Sequence, residues 1–257
     1  MSDLVSALHR ARAYGGLVNM SEYVRPADHD EAYILQTQVT ALFESETVGW
    51  KLGATNANTL KLLGFAEPFI GPLLGAHWYA NGSEVEVHPE HSPSLETEFL
   101  VKLGTDLATR KQAYTHDEVA AAIAYVCPAF EIVGCRVEGG FSAAGLMLIP
   151  DGAANLAVVQ GEVAKDWRKA DLSDHALRVA VDGVEVATGS SNLLLWGNPL
   201  GAVAWLAGHP ILRDRGLRRN DYIMTGTCGG LIALQPGARA EADFGVLGKV
   251  RLTVRGA

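Results

Sequence analysis

The sequence lacks the features that mark secreted, membrane-spanning and nucleic-acid-binding proteins. It has three cysteines, an odd number without the spacing of a zinc site, which predicts a reducing compartment and a cytoplasmic location. We find no signal-peptide pattern and no apolar run near the roughly 18–20 residues that cross a bilayer, so we expect no membrane partner. The formal net charge of -8 argues against a nucleic-acid partner, which needs a basic face.

Common catalytic and cofactor motifs are missing as well. Gly226 to Gly230 is rich in glycine but has the spacing of neither a dinucleotide-binding loop nor a P-loop. The eight histidines show no H-x-H or H-x-x-x-H spacing, which makes a zinc site unexpected. Ser190-Ser191 has no nucleophile elbow around it. These absences leave nucleotide, zinc and serine-hydrolase chemistry without support.

The residues that are present suit one large domain with a substantial core. Of the 257 residues, 48% are hydrophobic, and we predict a single catalytic domain over 1–257, with a helical segment over 1–47 packed on it. Helices are predicted to begin at Asp28-x-x-Glu31, Thr115-x-x-Glu118 and Asn198-Pro199, and Asp182-Gly183 predicts a hairpin turn. Many short strands lie between the helices without regular alternation, and the glycine-rich stretch 134–145 reads as a mobile loop over the site.

Two glutamates with one residue between them are the most informative feature. Glu96 and Glu98 lie in Ser94 to Val101, which reads as a strand, so both carboxylates leave the same face. Two adjacent like charges on a half-buried strand require either a raised pKa or a divalent cation held by oxygen ligands. An exposed strand face with alternating acids is the competing interpretation.

A third carboxylate supports the cation. Glu131 lies in Ala129-Phe130-Glu131-Ile132-Val133, an apolar strand where a lone buried charge would cost several kcal/mol. Three carboxylates around one hard metal ion would remove that cost. The alternative, in which each glutamate faces solvent or pairs with a lysine, stays open on these grounds.

Further polar residues are candidates for catalysis or substrate binding. Lys51 lies in a strand between Gly49 and Gly53, where it either meets an anionic substrate or extends to the surface. Thr225-Gly226 could offer hydroxyl and backbone N–H groups to a carboxylate, or be a strand end at a turn. Asp151 is a weak candidate for activating water, since turn chemistry also explains Asp151-Gly152.

Five segments, in their order along the chain, resemble the fumarylacetoacetate hydrolase superfamily. Within it, the chain looks most like the branch of 2-keto-4-pentenoate hydratases and 4-oxalocrotonate decarboxylases. The segments are Gly49 to Gly53, Leu95 to Phe99, Phe130 to Gly134, Asn198 to Leu200 with Ala204 to Ala207, and Asp221 to Gly226.

The resemblance implies an α+β fold: a β-rich rolled mixed sheet with an N-terminal helical segment and outer helices. It also implies a Mg²⁺ or Mn²⁺ cofactor and a homo-oligomer. The residues it assigns are metal ligands at Glu96, Glu98 and Glu131, a catalytic lysine at Lys51, and substrate contacts around Thr225 and Gly226. The chain departs from the branch at Gly152 and Phe69, where relatives often carry asparagine and aspartate.

The predicted activity is hydration of a 2-hydroxy-2,4-dienoate to a 4-hydroxy-2-oxo acid. The same enolate chemistry would serve decarboxylation of a vinylogous 2-oxo diacid or hydrolytic C–C cleavage of an acylpyruvate. A decarboxylase should anchor a second carboxylate, for which Arg25 and Arg136 are candidates. A non-catalytic partner subunit is the alternative from another functional class.

Overall fold

The computed structural model describes residues 2–257. Its α-helices are α1 (Ser2–Tyr14), α2 (His29–Thr40), α3 (Ala57–Leu63), α4 (His116–Ala122), α5 (Gly140–Ala144) and α6 (Pro199–Ala207). Its strands are β1 (Thr47–Gly53), β2 (Phe69–Leu74), β3 (Trp78–Tyr79), β4 (Glu84–Val87), β5 (Ser94–Leu103), β6 (Ile123–Val133), β7 (Asn155–Gln160), β8 (Ala176–Val181), β9 (Val184–Ser190), β10 (Tyr222–Ala233), β11 (Arg239–Asp243) and β12 (Lys249–Gly256).

A seven-stranded mixed sheet carries the centre of the molecule. Its strand order is β2-β1-β10-β5-β6-β7-β3, in which the late strand β10 lies between the early strands β1 and β5. The β1/β10 and β3/β7 pairs are parallel, and the other pairs in this sheet are antiparallel. Chain segments far apart in the sequence are therefore neighbours in the middle of the sheet.

This sheet is rolled, as the family resemblance implied. Lys51 on β1 and Glu131 on β6 are three strand spacings apart, which in a flat sheet would be about 14 Å. The Lys51 Nζ and Glu131 Oε1 atoms are nevertheless 3.2 Å apart. The strands therefore curl around one face, and the residues of that face converge on a common interior.

A second sheet has five strands in the order β4-β12-β11-β8-β9. The predicted hairpin joins β8 to β9, and both of its turn residues, Asp182 and Gly183, have positive φ angles of 51° and 79°. This is the geometry that an Asp-Gly hairpin turn requires.

The helix starts follow the predicted capping residues. At α4, the Thr115 side chain accepts from the Glu118 backbone N–H, and the Glu118 carboxylate accepts from the Thr115 backbone, so the capping box is complete. At α2, the Asp28 side chain caps in the same way, but the Glu31 carboxylate accepts from the Ala27 backbone N–H instead. Asn198 caps α6, with proline at the first helical position.

The N-terminal helix shares the core of the rest of the chain. Leu4 and Leu8 of α1 belong to the same buried cluster as residues of β5, β6 and β12, which supports the proposal that residues 1–257 form one domain.

The stretch 134–145 is not the continuous loop that was predicted, because Val137 bridges to Val18 and α5 follows. Among residues 2–257, no helix has both the length and the apolar character needed to cross a bilayer.

Candidate metal centre

Three glutamates meet on the concave face of the rolled sheet. Glu96 and Glu98 lie on β5, and Glu131 on β6 is paired directly with Glu96. One carboxylate oxygen from each can be chosen so that all three lie within 4.8 Å of one another. Glu98 and Glu131 are fully buried, and Glu96 is half-buried. The structure thus brings together the trio that the sequence singled out.

Two of these carboxylate oxygens, Glu98 Oε1 and Glu131 Oε2, have no hydrogen-bond partner among the described residues. The other oxygen of each group is held. Glu98 Oε2 accepts from the Gly226 backbone N–H at 2.7 Å, and Glu131 Oε1 accepts from the Asn155 amide at 2.9 Å. Buried ionised oxygens without partners are costly, whereas Mg²⁺ and Mn²⁺ prefer such ligands. The donor set therefore fits a hard divalent ion.

The electrostatics of the trio point the same way. Burial raises the pKa of Glu96 to about 7, an effect that Lys51 opposes and Glu131 reinforces. Burial also raises the pKa of Glu98 well above its usual range, and the Glu131 and Glu96 carboxylates raise it further. A divalent ion would reverse both effects, since it is the largest local charge in any site that holds one.

Lys51 supplies a positive charge at the edge of the trio. Its Nζ lies 3.2 Å from Glu131 Oε1 and donates to the Ala153 carbonyl oxygen at 3.1 Å. Burial acts to lower the pKa of Lys51, but the three carboxylates, Glu131 foremost, raise it above its usual value. The ammonium group is buried, so the interpretation that it extends to the surface is wrong, and it remains charged at neutral pH.

A cavity of about 100 Å³ opens beside Glu96 and Lys51. Its remaining wall is largely apolar, with Leu62, Leu63, Phe69, Val133, Phe141, Leu148 and Leu231 among the lining residues. Thr55, Thr59 and Thr227 add hydroxyl groups. A small molecule with a polar head and an apolar tail matches this division of the wall.

Glu96 also faces a wider groove of about 530 Å³ that leads outward. Thr59, Leu62, Thr227 and Leu231 line both the groove and the cavity, so the two spaces meet at Glu96. The carboxylate of Glu96 is therefore the member of the trio that an incoming ligand reaches first.

Asp151 is held away from the cavity. Its Oδ1 atom forms an ion pair with Arg136 Nε, and its Oδ2 atom accepts from the Arg136 backbone N–H at 2.9 Å. The aspartate is almost completely buried and is not among the residues that line the cavity. Both carboxylate oxygens are therefore engaged by Arg136, away from the cavity. The role of water activator predicted for Asp151 therefore has no geometric support.

The two arginines considered as anchors for a second carboxylate are also engaged elsewhere. Arg136 is fully buried and donates to the Asp151 side chain and to the Asn155 carbonyl oxygen. Arg25 donates to the carbonyl oxygens of Ala143 and Ala144. Neither arginine lines the cavity, so the structure does not bring them to the glutamates.

Thr225 and Gly226 act differently from the prediction in this arrangement. The Thr225 hydroxyl is fully buried and donates to the Phe99 carbonyl oxygen, while the Gly226 N–H is bonded to Glu98. Thr227 lines the cavity instead. Irregular pairing in β10 on both sides of Thr227 breaks the alternation of its side chains, and Gly226 has a φ of +105°. The two-residue alternation of a regular strand therefore does not predict that Thr227 lines the cavity.

Other polar residues at the centre were missed from the sequence. Asn155, at the start of β7, donates to Glu131, and Arg12 of α1 donates to Asn155. Thr55 lines the cavity just after β1. The available signal for Asn155 was its position at the start of an apolar strand. Arg12 follows Leu4 and Leu8 at four-residue intervals on the buried face of α1, whereas Arg10 is exposed, so helical periodicity was the available signal for Arg12.

The sequence and the fold have known counterparts. The family model described as fumarylacetoacetate (FAA) hydrolase C-terminal matches residues 75–255. A 2-keto-4-pentenoate hydratase from Paraburkholderia xenovorans (strain LB400) is 32% identical over 225 residues, which cover 86% of this chain and 82% of that protein.

Solved structures share the fold at lower identity. The 4-oxalocrotonate decarboxylase from Pseudomonas putida G7, complexed with magnesium and adipate, superposes with a TM-score of 0.87 at 23% identity, over 99% of this chain and 98% of the other. The fumarylpyruvate hydrolase from Pseudomonas aeruginosa, in complex with Mn²⁺ and pyruvate, has a TM-score of 0.62 at 14% identity, over 84% of this chain and 99% of the other.

Proposed function

Because the chain belongs to the fumarylacetoacetate hydrolase family, we propose that it is a divalent-metal-dependent hydratase acting on a 2-hydroxy-2,4-dienoate. The substrate is of the 2-keto-4-pentenoate type, the product is a 4-hydroxy-2-oxo acid, and the cofactor is Mg²⁺ or Mn²⁺. The similarity to a named hydratase over most of both chains supports the reaction. The structural relatives crystallised with magnesium and with Mn²⁺ support the cofactor.

One observation carries the proposal: two buried carboxylate oxygens, which have no hydrogen-bond partner in the described part of the chain, lie next to a third carboxylate that opens on a cavity. Glu96, Glu98 and Glu131 would hold the ion. When bound, the ion would supply Lewis-acid chemistry that stabilises negative charge on a substrate oxygen.

The chain's own groups bind, orient and supply protons. Ketonisation of the dienoate moves the hydroxyl proton to C5, and water then adds its oxygen at C4 and a proton at C3. The charged Lys51 ammonium group lies at the polar end of the cavity, where it can donate to a substrate oxygen or pass on a proton. The apolar wall contacts the tail and excludes water other than the molecule that adds at C4.

The cavity favours a monoacid over the diacid that a decarboxylase would take. Among the residues of the described chain that line the cavity and the groove, Lys51 is the only lysine or arginine. Arg25 and Arg136 are engaged elsewhere. A second carboxylate against Leu63 and Phe69 would lie in an apolar wall without a counter-charge, which costs several kcal/mol. Hydration of a monoacid is therefore the reaction that the wall supports.

Two substrates assayed side by side test the proposal. Purified protein with Mg²⁺ is given 2-hydroxypenta-2,4-dienoate or 2-oxohex-3-enedioate, and ultraviolet absorbance and carbon dioxide are followed. We expect the dienoate chromophore to decay and no carbon dioxide to appear from the diacid. Release of carbon dioxide with the dienoate unchanged would identify a decarboxylase instead.

Variants of the glutamates test the metal role. Glu131→Gln keeps the size of the side chain but removes a negative charge, so activity and Mg²⁺ dependence should be lost together. Glu185→Gln, on the exposed part of β9, is the matched control and should behave as the wild type does. Full activity in a chelator, for the wild type or for Glu131→Gln, would refute the metal role.

Other predictions from the sequence remain proposals. A homo-oligomer, a cytoplasmic location and a single domain over 1–257 are retained in that form. The three cysteines are unpaired thiols, which agrees with a reducing compartment. Substrate contact near Thr225 and Gly226 is proposed through their neighbour Thr227, because that side chain lines the cavity.

A further inference from the structure

A buried chain of hydrogen bonds runs from the N-terminal helix to the carboxylate trio. Arg12 of α1 donates from Nη2 to Asn155 Oδ1 at 3.2 Å. Asn155 in turn donates from Nδ2 to Glu131 Oε1 at 2.9 Å. Arg12 is 8% exposed and Asn155 is 1% exposed, so water has little access to either bond.

The series of hydrogen bonds from Arg12 to Glu131 has a fixed donor-to-acceptor direction. A guanidinium group can only donate, so the oxygen end of the Asn155 amide must face Arg12 and its nitrogen end must face Glu131. Glu131 Oε1 then lies next to two donors, Asn155 and Lys51, while Oε2 has no hydrogen-bond partner within residues 2–257. The Arg12 guanidinium, which only donates, and the ionised Glu131 carboxylate, which only accepts, both favour this orientation of the amide.

The surrounding backbone leaves room for the arginine. Gly152 has a φ of +63°, and a Cβ atom built there would overlap the Arg12 guanidinium group. The guanidinium also lies over the Phe43 ring, 5.3 Å from its centroid. Arg12 is thus accommodated by a position that has no side chain and by an aromatic face.

Fold stability alone does not explain this arginine. Arg12 Nε has no hydrogen-bond partner among residues 2–257, and Arg136 opposes its charge, while the carboxylates of Asp151 and Glu131 favour it. An apolar side chain at the core end of α1 would fill such a place at lower cost. The contact that sets Arg12 apart from its neighbours on the helix is the bond to Asn155.

We propose that Arg12 is a positioning residue for the metal centre, which acts through Asn155 to hold Glu131 so that Oε2 faces the divalent ion. The inference rests on the proposed function, because it needs the ion. It adds to that function a role for the N-terminal helix, whose Arg12 side chain is linked to the trio through Asn155.

Metal affinity measured on the chelator-stripped protein tests the inference without an activity assay. Mn²⁺ is titrated into each variant and the free ion is followed by electron paramagnetic resonance. We expect Arg12→Met and Asn155→Ala each to raise the Kd for Mn²⁺ by about 10–100-fold, the usual effect of losing a group that orients a metal ligand. Arg10→Met is the matched control on the same helix; Arg10 is exposed, and no change in Kd is expected.

A double variant separates positioning from general structural damage. If Arg12 acts through Asn155, Arg12→Met adds no further loss once Asn155→Ala is present. Losses that multiply in the double variant would overturn the inference, as would an Arg12→Met protein that binds Mn²⁺ as Arg10→Met does.

Two further variants cover the case in which Arg12→Met does not fold. Arg12→Lys keeps a charged donor and should retain most of the affinity, whereas Asn155→Asp keeps the size of the side chain but places a carboxylate against Glu131 and should lose it. The reverse order of affinities would overturn the inference. A wild-type protein that binds no Mn²⁺ would overturn the proposed function and this inference with it.

Discussion

Replacing Lys51 with methionine removes the one cation that forms an ion pair with the carboxylate trio among residues 2–257. The Nζ atom lies 3.2 Å from Glu131 Oε1, and the two side chains are 3% and 0% exposed. Removing one partner of a buried ion pair costs about 3–5 kcal/mol, because the remaining charge stays buried without compensation. In a chain of this size, 1 kcal/mol shifts Tm by about 2–4 °C. We therefore expect the metal-free variant to melt roughly 6–20 °C below the metal-free wild type.

The difference should shrink when Mg²⁺ is added, because a divalent ion neutralises the same carboxylates. Thermal unfolding is followed by circular dichroism, in chelator and in excess Mg²⁺, with Lys165→Met as the control for an exposed lysine. Turnover should fall in Lys51→Met even where Mg²⁺ restores stability, since the donor to the substrate is gone.

Two results would refute this reasoning. A Lys51→Met protein that melts with the wild type in chelator would mean that Lys51 does not compensate the buried charges. A Tm difference that is unchanged by Mg²⁺ would mean that the ion does not bind at these carboxylates.

Three further predictions address the acid–base state, the tail pocket and the backbone of the site. The pKa of Glu96 is raised to about 7 without metal, and the ion binds the ionised carboxylate. The affinity for Mg²⁺, measured by calorimetry, should therefore fall as the pH drops below about 7. A constant affinity from pH 5 to 8 would contradict this. Leu63→Arg places a cation in the apolar wall of the cavity, where it can bind the second carboxylate of a diacid. The ratio of kcat/KM for the diacid to kcat/KM for the dienoate should rise about tenfold or more, as expected for a charge-assisted hydrogen bond. An unchanged ratio would show that the substrate tail lies elsewhere. The Cβ atom added by Gly226→Ala would overlap Thr55, at a φ of +105° that disfavours alanine, so both the Tm and the affinity for Mn²⁺ should fall. A variant with the Tm of the wild type would contradict this geometry.

The parts predicted from the sequence are those fixed by short-range rules. Strand periodicity placed Glu96 and Glu98 on one face, and the unfavourable burial of a lone carboxylate pointed to Glu131, which the register pairs with Glu96. The Asp182-Gly183 hairpin and the capping box at Thr115 follow from backbone chemistry within a few residues. The family resemblance and the rolled mixed sheet are confirmed by the family model and by the shared fold.

The parts that were not predicted depend on long-range geometry. Asp151 looked available in the sequence, but Arg136 takes both of its carboxylate oxygens. Arg12 reaches Asn155 across 143 positions of the chain, and no local pattern encodes such a contact. Thr227 faces the cavity because pairing in β10 is irregular, a feature that depends on the partner strand as much as on β10 itself.

The position of β10 in the main sheet also constrains the order of assembly during synthesis. The strands that carry the glutamates leave the ribosome early, but β10, which separates β1 from β5 and supplies the N–H that holds Glu98, spans residues 222–233. Until β10 inserts between β1 and β5, the sheet is incomplete and Lys51 is not held against Glu131. The three glutamates of the nascent polypeptide then have no enclosed site in which to bind the ion. Such non-local closure is slow compared with local helix formation. Capture of the ion should therefore be a late, all-or-none event that reports completion of the fold, and a fragment ending before residue 222 should fail to retain it.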